Sequence, residues 1–214
     1  MLQTDWAFEI ITRWLPDPGT GQVILVTNAP EDSPLSAARL YSFAYRHQRW
    51  RPVFPPFPAV IGSHGFNAAK REGDGCSPLG CFPLQGAFGR YANPGTRLPY
   101  RWTTGNDWWV DDSASPWYNT WQTGPARGRW SSAEPLRGDD HSYDYAVIIG
   151  FNTRDRIPGN GSAIFLHGWE GPGRATLGCT ALAEPQLLQL LRWLDPAQHP
   201  VLIQGPLPAL LQSS

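Results

Sequence analysis

The feature that most restricts what this chain can fold into is its punctuation: 22 glycines and 22 prolines among 214 residues, set between short apolar runs. Glycine readily takes positive φ, and proline fixes φ and lacks an amide proton, so neither suits the middle of a long helix or a central strand. Both exceed ordinary usage without reaching the level of a disordered chain. The pattern predicts many turns and short strands, hence a mainly β fold.

The apolar runs support this. Val23 to Thr27, an alternating stretch from Ala37 to Arg46, Trp50 to Phe54 and Ala59 to Ile61 read as a meander, with a Pro/Asp/Ser turn after Thr27. Segments around Phe82, Phe88 and Tyr100-Arg101-Trp102 extend it, Tyr145 to Gly150 and Ser162 to Leu166 form its centre, and Pro200 to Ile203 is a last strand. Two helices are expected. One is short, peripheral and amphipathic, with Trp6, Phe8, Ile10, Ile11, Trp14 and Leu15, and ends at Pro16-Asp17-Pro18-Gly19; the other begins at Glu184-Pro185 and repeats leucine from Leu187 to Leu194.

With 41% apolar residues the chain can build one good core but not two. We expect a single domain over residues 1–214, residues 1–19 being a peripheral segment. Residues 93–144 are weakly periodic and carry six tryptophans between Trp102 and Trp130; such long irregular insertions are often functional loops, and this one is expected to wall a cleft.

The formal charge is -1, with 16 arginines, one lysine and no long basic block, which argues against a nucleic-acid partner. No run of 18 apolar residues is present, so no membrane span is expected, and Asp5, Glu9 and Asp17 interrupt any secretory signal pattern in the first 20 residues. His47, His64, His141 and His199 stand in turns or charged loops without Cys-x-x-Cys or His-x-x-x-His pairs, so neither metal nor cofactor is expected. Cys76 and Cys81 flank a turn, Ser77-Pro78-Leu79-Gly80; a disulfide and two reduced core cysteines are both open, and Cys179 is left over either way.

Chemistry concentrates between Gly161 and Leu182. An apolar strand delivers His167 at its exit, and twelve residues later Cys179 follows Gly178, ahead of the second helix. A thiol with a pKa near 8.5 is only a few per cent thiolate at neutral pH, so a reactive role needs a neighbouring imidazole or a helix N-terminus. Gly178 would let the backbone approach a substrate carbonyl, with the Cys179 amide directed at an oxyanion. A small core cysteine and a hydrogen-bonded structural histidine would show the same spacing.

The motifs go further. His167-Gly168 with Thr176-x-Gly178-Cys179 resembles the His-Gly and Ser/Thr-x-Gly-Cys signature of the L,D-transpeptidase catalytic (YkuD) domain. Lys70-Arg71-Glu72-Gly73-Asp74-Gly75 followed by Ser77-Pro78-Leu79-Gly80-Cys81-Phe82-Pro83 is similar to that family's strand-turn-strand segment, and Asp111-Asp112 with Tyr118-Asn119 resembles an Asp-rich, Tyr-Asn stretch of one branch. These matches run in the family's order over roughly residues 20–205. Leu177 and Ala181 stand where most members have histidine and arginine or asparagine, so the contacts of that arginine are not carried over.

The resemblance implies a mixed β-sheet sandwich or barrel and a cell-envelope monomer, periplasmic or secreted, acting on peptidoglycan stem peptides through a thioacyl-enzyme. It implies Cys179 as nucleophile, His167 as base, the Gly168 carbonyl as orienter of the imidazole, and Gly178 and Cys179 amides around the oxyanion. Trp169, Thr176, Tyr118, Asn119 and Asp112 are the expected substrate-side residues, Thr176 by shaping the loop. Hydrolysis by a carboxypeptidase or amidase of the same fold, and an idle wall-binding module, are the competing expectations.

Overall fold

The strands close on themselves. In the computed structural model, which describes residues 5–15, 17–28 and 34–212, the strands are β1 (Gln22–Asn28), β2 (Ala37–Arg46), β3 (Arg49–Pro52), β4 (Phe57–Val60), β5 (Phe66–Asn67), β6 (Ser77–Pro78), β7 (Gly80–Gly89), β8 (Tyr100–Trp102), β9 (Asp107–Val110), β10 (Trp121–Thr123), β11 (Ala133–Pro135), β12 (Ala146–Ile149), β13 (Phe165–Gly168), β14 (Thr180–Leu182) and β15 (Val201–Pro206). Helix α1 (Asp5–Trp14) precedes them, α2 (Glu184–Trp193) follows β14, and α3 (Leu207–Gln212) follows β15. The main sheet runs β1-β15-β7-β12-β13-β14-β4-β2, and β2 pairs back onto β1, giving a barrel-like ring with β3 and β8 as side strands. Two neighbours are parallel, β1 with β15 and β13 with β14; the other ring pairs are antiparallel.

Side-chain alternation along each strand divides the apolar residues between two faces. Ile24 and Val26 of β1 join Leu40, Ala59, Val147, Leu166 and Leu202 in the largest cluster, to which α2 adds Leu187, Leu190, Leu191 and Leu194. That leucine spacing lays one helical stripe against the sheet, and Pro185 sits in the first turn, where its missing amide proton costs nothing. Val23 and Leu25 face the other way, and Ile10 and Ile11 of α1 and Leu210 of α3 cover them. A third cluster lies on the remaining face of β12 and β13, where Ala146 and Phe165 meet Phe88, Trp109, Leu136, Tyr143 and Cys179.

The mainly β barrel-like fold, the N-terminal helix and the helix after the cysteine agree with expectation; three details do not, and the state of the cysteines, left open, is decided. Residues 107–135 hold a small sheet of order β10-β9-β11, packed on the main sheet where Trp109 meets Phe165 edge-on at 5.1 Å, so the insertion is built rather than irregular. The strand expected at Ser162 to Leu166 begins at Phe165 and includes His167. Strand β14 separates Cys179 from α2, so the thiol does not sit at the helix N-terminus, whose field fades within the first turn. Cys76, Cys81 and Cys179 are all free thiols. The turn expected after Thr27 falls partly on residues 29–33, outside the described residues, as do residues 1–4 and Pro16 of the N-terminal segment.

Candidate active site

The parallel pair β13–β14 sets the geometry. His167 lies in register with Ala181, two residues past Cys179, and alternation puts Phe165, His167, Cys179 and Ala181 on one face of the sheet. Diagonal neighbours on adjacent strands lie about 7–8 Å apart, an interval that an imidazole largely spans. His167 and Cys179 line the same cavity, of about 750 Å³.

The imidazole is held from the backbone. His167 Nδ1 is 2.7 Å from the Gly168 carbonyl oxygen. A carbonyl can only accept, so Nδ1 carries the proton and Nε2 keeps its lone pair. Burial lowers the His167 pKa below the ordinary 6.5, outweighing the Gly168 and Ser142 carbonyls and Asp140, which favour the charged ring. At neutral pH the ring is therefore an uncharged proton acceptor.

The sulfur is nearly closed off, 9% exposed. Its hydrogen-bond partners are the Phe165 amide at 3.4 Å and the Ala163 carbonyl at 3.3 Å, and the imidazole is not among them. Burial pushes the thiol up to about 12, with the Glu134 charge adding to it; the Phe165 amide, the Tyr143 hydroxyl and Lys70 act in the opposite sense. The thiol is thus neutral in the empty site. A base commonly closes on its nucleophile only once substrate is bound.

The loop before the cysteine is fixed by one hydroxyl. Thr176 Oγ1 donates to the Cys179 carbonyl at 2.6 Å and accepts from the Gly178 amide at 3.1 Å, while Ser77 Oγ donates to the Gly178 carbonyl at 2.8 Å. Gly178 has φ +151, and a Cβ there would come within 2.9 Å of the Cys76 carbonyl oxygen, so both conformation and space demand glycine. The Lys70 side chain runs beside Gly178, its Nζ bonded to Asp74 at 2.5 Å and to the Arg71 carbonyl at 2.8 Å. The lining is predominantly acidic, with Glu72, Asp111, Glu134, Asp140 and Glu170 against Lys70 and Arg174.

Of the expected residues, Cys179, His167, Gly168, Gly178, Trp169 and Thr176 all line this cavity. Tyr118, Asn119 and Asp112 do not, and their polar groups are taken up by the protein. Tyr118 donates to Glu72 at 2.5 Å and accepts from the Gly161 amide at 3.0 Å. Asn119 accepts from Trp109 Nε1 at 2.7 Å and the Ala163 amide at 3.2 Å, and donates to the Phe151 and Asn152 carbonyls. Asp112 accepts from the Ser131 amide and hydroxyl and from the Ala114 amide. Tyr118 and Asn119 tie the insertion to the segment leading into β13, and Asp112 holds turns within the insertion.

Glu134 and Tyr143 were not among the expected residues. The Tyr143 ring stands edge-on to His167 at 5.3 Å and to Phe165 at 5.5 Å, and its hydroxyl donates to Glu134. Desolvation of the Glu134 carboxyl raises its pKa to about 7, the nearby Asp111 and Asp140 adding to the effect and the Tyr143 hydrogen bond opposing it. No periodic signal marks either residue, since each belongs to a short strand or loop of the Trp-rich region.

Comparison with known proteins places this geometry. A family model described as the L,D-transpeptidase catalytic domain, YkuD, matches residues 23–203. Two crystal structures of the helical cell shape determining protein Pgp2 from Campylobacter jejuni, one of a point mutant, align over 95% of this chain at 16% identity, with TM-scores of 0.43 and 0.42. The chain spans 56% and 55% of those two structures. No curated protein matches the sequence.

Proposed function

Because the chain belongs to the L,D-transpeptidase catalytic domain (YkuD) family, we propose that it is a cysteine-dependent L,D-transpeptidase of the cell envelope, working as one catalytic domain on peptidoglycan stem peptides. The observation that carries this reading is the placement of His167 on β13 and of Cys179 immediately before the parallel strand β14, both lining one cavity, with Nδ1 of the imidazole held by the Gly168 carbonyl.

In the proposed reaction the peptide bond between an L-centre and a D-centre enters the cavity, and Nε2 of His167 takes the thiol proton as Cys179 Sγ attacks the carbonyl carbon. The oxyanion is stabilised by the Cys179 backbone amide, a donor worth about 3 to 4 kcal/mol, the Gly178 amide being engaged by Thr176. Collapse of the tetrahedral adduct breaks the C–N bond. His167 returns the proton to the departing amine of the D-amino acid, and a thioester remains on Cys179. An amine from a second stem resolves it in transfer, and water does so in hydrolysis. Thr176 holds the loop, and Trp169 at the cavity wall offers an aromatic face to the stem.

Incubation of the protein with a purified disaccharide-tetrapeptide, followed by mass spectrometry, tests the proposal. A cross-linked dimer lacking one D-amino acid, formed by the wild type and absent with Cys179→Ala, is the expected result. A shortened monomer alone would assign hydrolysis instead. Peptide binding without turnover by either protein would mark a wall-binding module and overturn the enzymatic reading.

A further inference from the structure

We infer that Glu134 is a positioning residue that opposes ionisation of Cys179, by engaging the Tyr143 hydroxyl that would otherwise serve the sulfur. The inference deepens the reading of Cys179 as a nucleophile and rests on it.

The geometry is a competition of two acceptors for one proton. Tyr143 is buried, its ring edge-on to Phe165 and His167 and tilted against Phe88, so the oxygen has a fixed place and only the O–H direction can turn. The hydroxyl donates to Glu134, and Tyr143 packs in the same cluster as Cys179, where an O–H turned toward the sulfur would favour a thiolate. A carboxylate accepts this proton in a charge-assisted bond and outcompetes a neutral sulfur. A protonated Glu134 becomes a donor itself, which frees the phenolic hydrogen for the sulfur. The ionised carboxylate opposes the thiolate a second time, through its own like charge.

The surroundings decide which group gives way. Glu134 on β11 faces Asp111 at the end of β9 and Asp140 and Tyr143 from the loop before β12, with Glu72 contributing from the Lys70–Asp74 loop. All these carboxylates resist a further negative charge. Lys70, beside Gly178, is the cation that acts on the sulfur, while His167 stays neutral.

The test reads the thiol directly and needs no peptidoglycan. Cys179 is alkylated with iodoacetamide, the thiolate displacing iodide, and peptide-resolved mass spectrometry gives its rate against pH, with Cys76 and Cys81 as internal references. Glu134→Gln keeps an oxygen for the tyrosine and removes the charge. One unit of lowered thiol pKa gives tenfold more thiolate, offset by roughly half on a logarithmic scale by its weaker nucleophilicity, so alkylation at pH 8 should rise about threefold. The gain should shrink when both proteins also carry Tyr143→Phe, leaving only the part due to the like charge of Glu134. An E134Q profile that superimposes on the wild type overturns the inference, and an equal gain with Tyr143→Phe overturns the route through the hydroxyl. Should E134Q fail to fold, the wild-type profile decides: a break in slope near neutral pH supports the brake, and an unbroken line refutes it. Alkylation that behaves as expected in a protein inert toward muropeptides would sink the proposed function and leave the brake standing.

Discussion

Thr176→Val separates the architecture of the loop from its chemistry. The substitution is nearly isosteric and removes one hydroxyl, with it the bonds to the Cys179 carbonyl at 2.6 Å and from the Gly178 amide at 3.1 Å. A hydrogen bond of this kind contributes about 1 kcal/mol net, so two give about 2 kcal/mol. In a chain of this size that lowers the melting temperature by roughly 4–8 °C. The Gly178 amide loses its hydroxyl acceptor next to the nucleophile, and a displacement of the order of 1 Å there costs about a hundredfold in turnover. Thermal unfolding by circular dichroism and turnover of a tetrapeptide stem measure the two effects, and Thr176→Ser, which keeps the hydroxyl, should restore most of both. The reasoning fails if T176V melts with the wild type, or if T176S is as impaired as T176V.

Other outcomes follow from the same geometry. Gly178→Ala forces a side chain into φ +151 and against the Cys76 carbonyl, so about 1–3 kcal/mol of strain should appear as a lowered denaturant midpoint, with loss of Cys179 acylation by a carbapenem followed by intact mass. Asn119→Ala breaks bonds to Trp109, Ala163, Phe151 and Asn152 outside the cavity; it should lower the melting temperature while KM, measured where the variant is folded, stays unchanged. Glu134 is raised from 4.5 to about 7 in the folded chain, which therefore binds the extra proton between those values. Its contribution to stability is present below pH 4.5 and lost as pH rises through 7, so a melting-temperature series should fall less over that range for E134Q than for the wild type. His167 works in the opposite direction: its folded pKa lies below 6.5, so the unfolded chain takes up the proton first and stability falls as pH drops below that value, an effect that His167→Gln should remove from the same series.

Much of this was legible in the residues because it depends on local pattern. The alternation from Ala37 to Arg46 coincides with β2, since one face of that strand is buried and the other meets solvent or a side strand. The leucine repeat fixed α2 for the corresponding helical reason. What escaped is decided by neighbours. Strand β14 is three residues, Thr180 to Leu182, too short to show a period, and exists because β13 and β4 pair on either side of it. The strands of the insertion are three or four residues long and include Pro135, so they read as loop. His167 and Cys179 were found because their chemistry comes with a motif. Tyr118 and Asn119 resembled site residues, yet their polar atoms serve the fold. Glu134 and Tyr143 carry no signature, and their meaning comes only from the cluster around Phe165.

Parallel neighbours cannot be joined by a tight hairpin, so the chain between Gly168 and Thr180 has to arch from one end of β13 back to the start of β14. That arch contains Trp169, Glu170, Arg174 and Leu177, which border the cavity, while His167 is held in β13 and the Thr176 and Ser77 hydroxyls hold the segment that carries Cys179. Replacing the tip of the arch, around Gly171 to Arg174, is therefore a way to retune which peptides are admitted while the reacting pair stays on its own fixed rails.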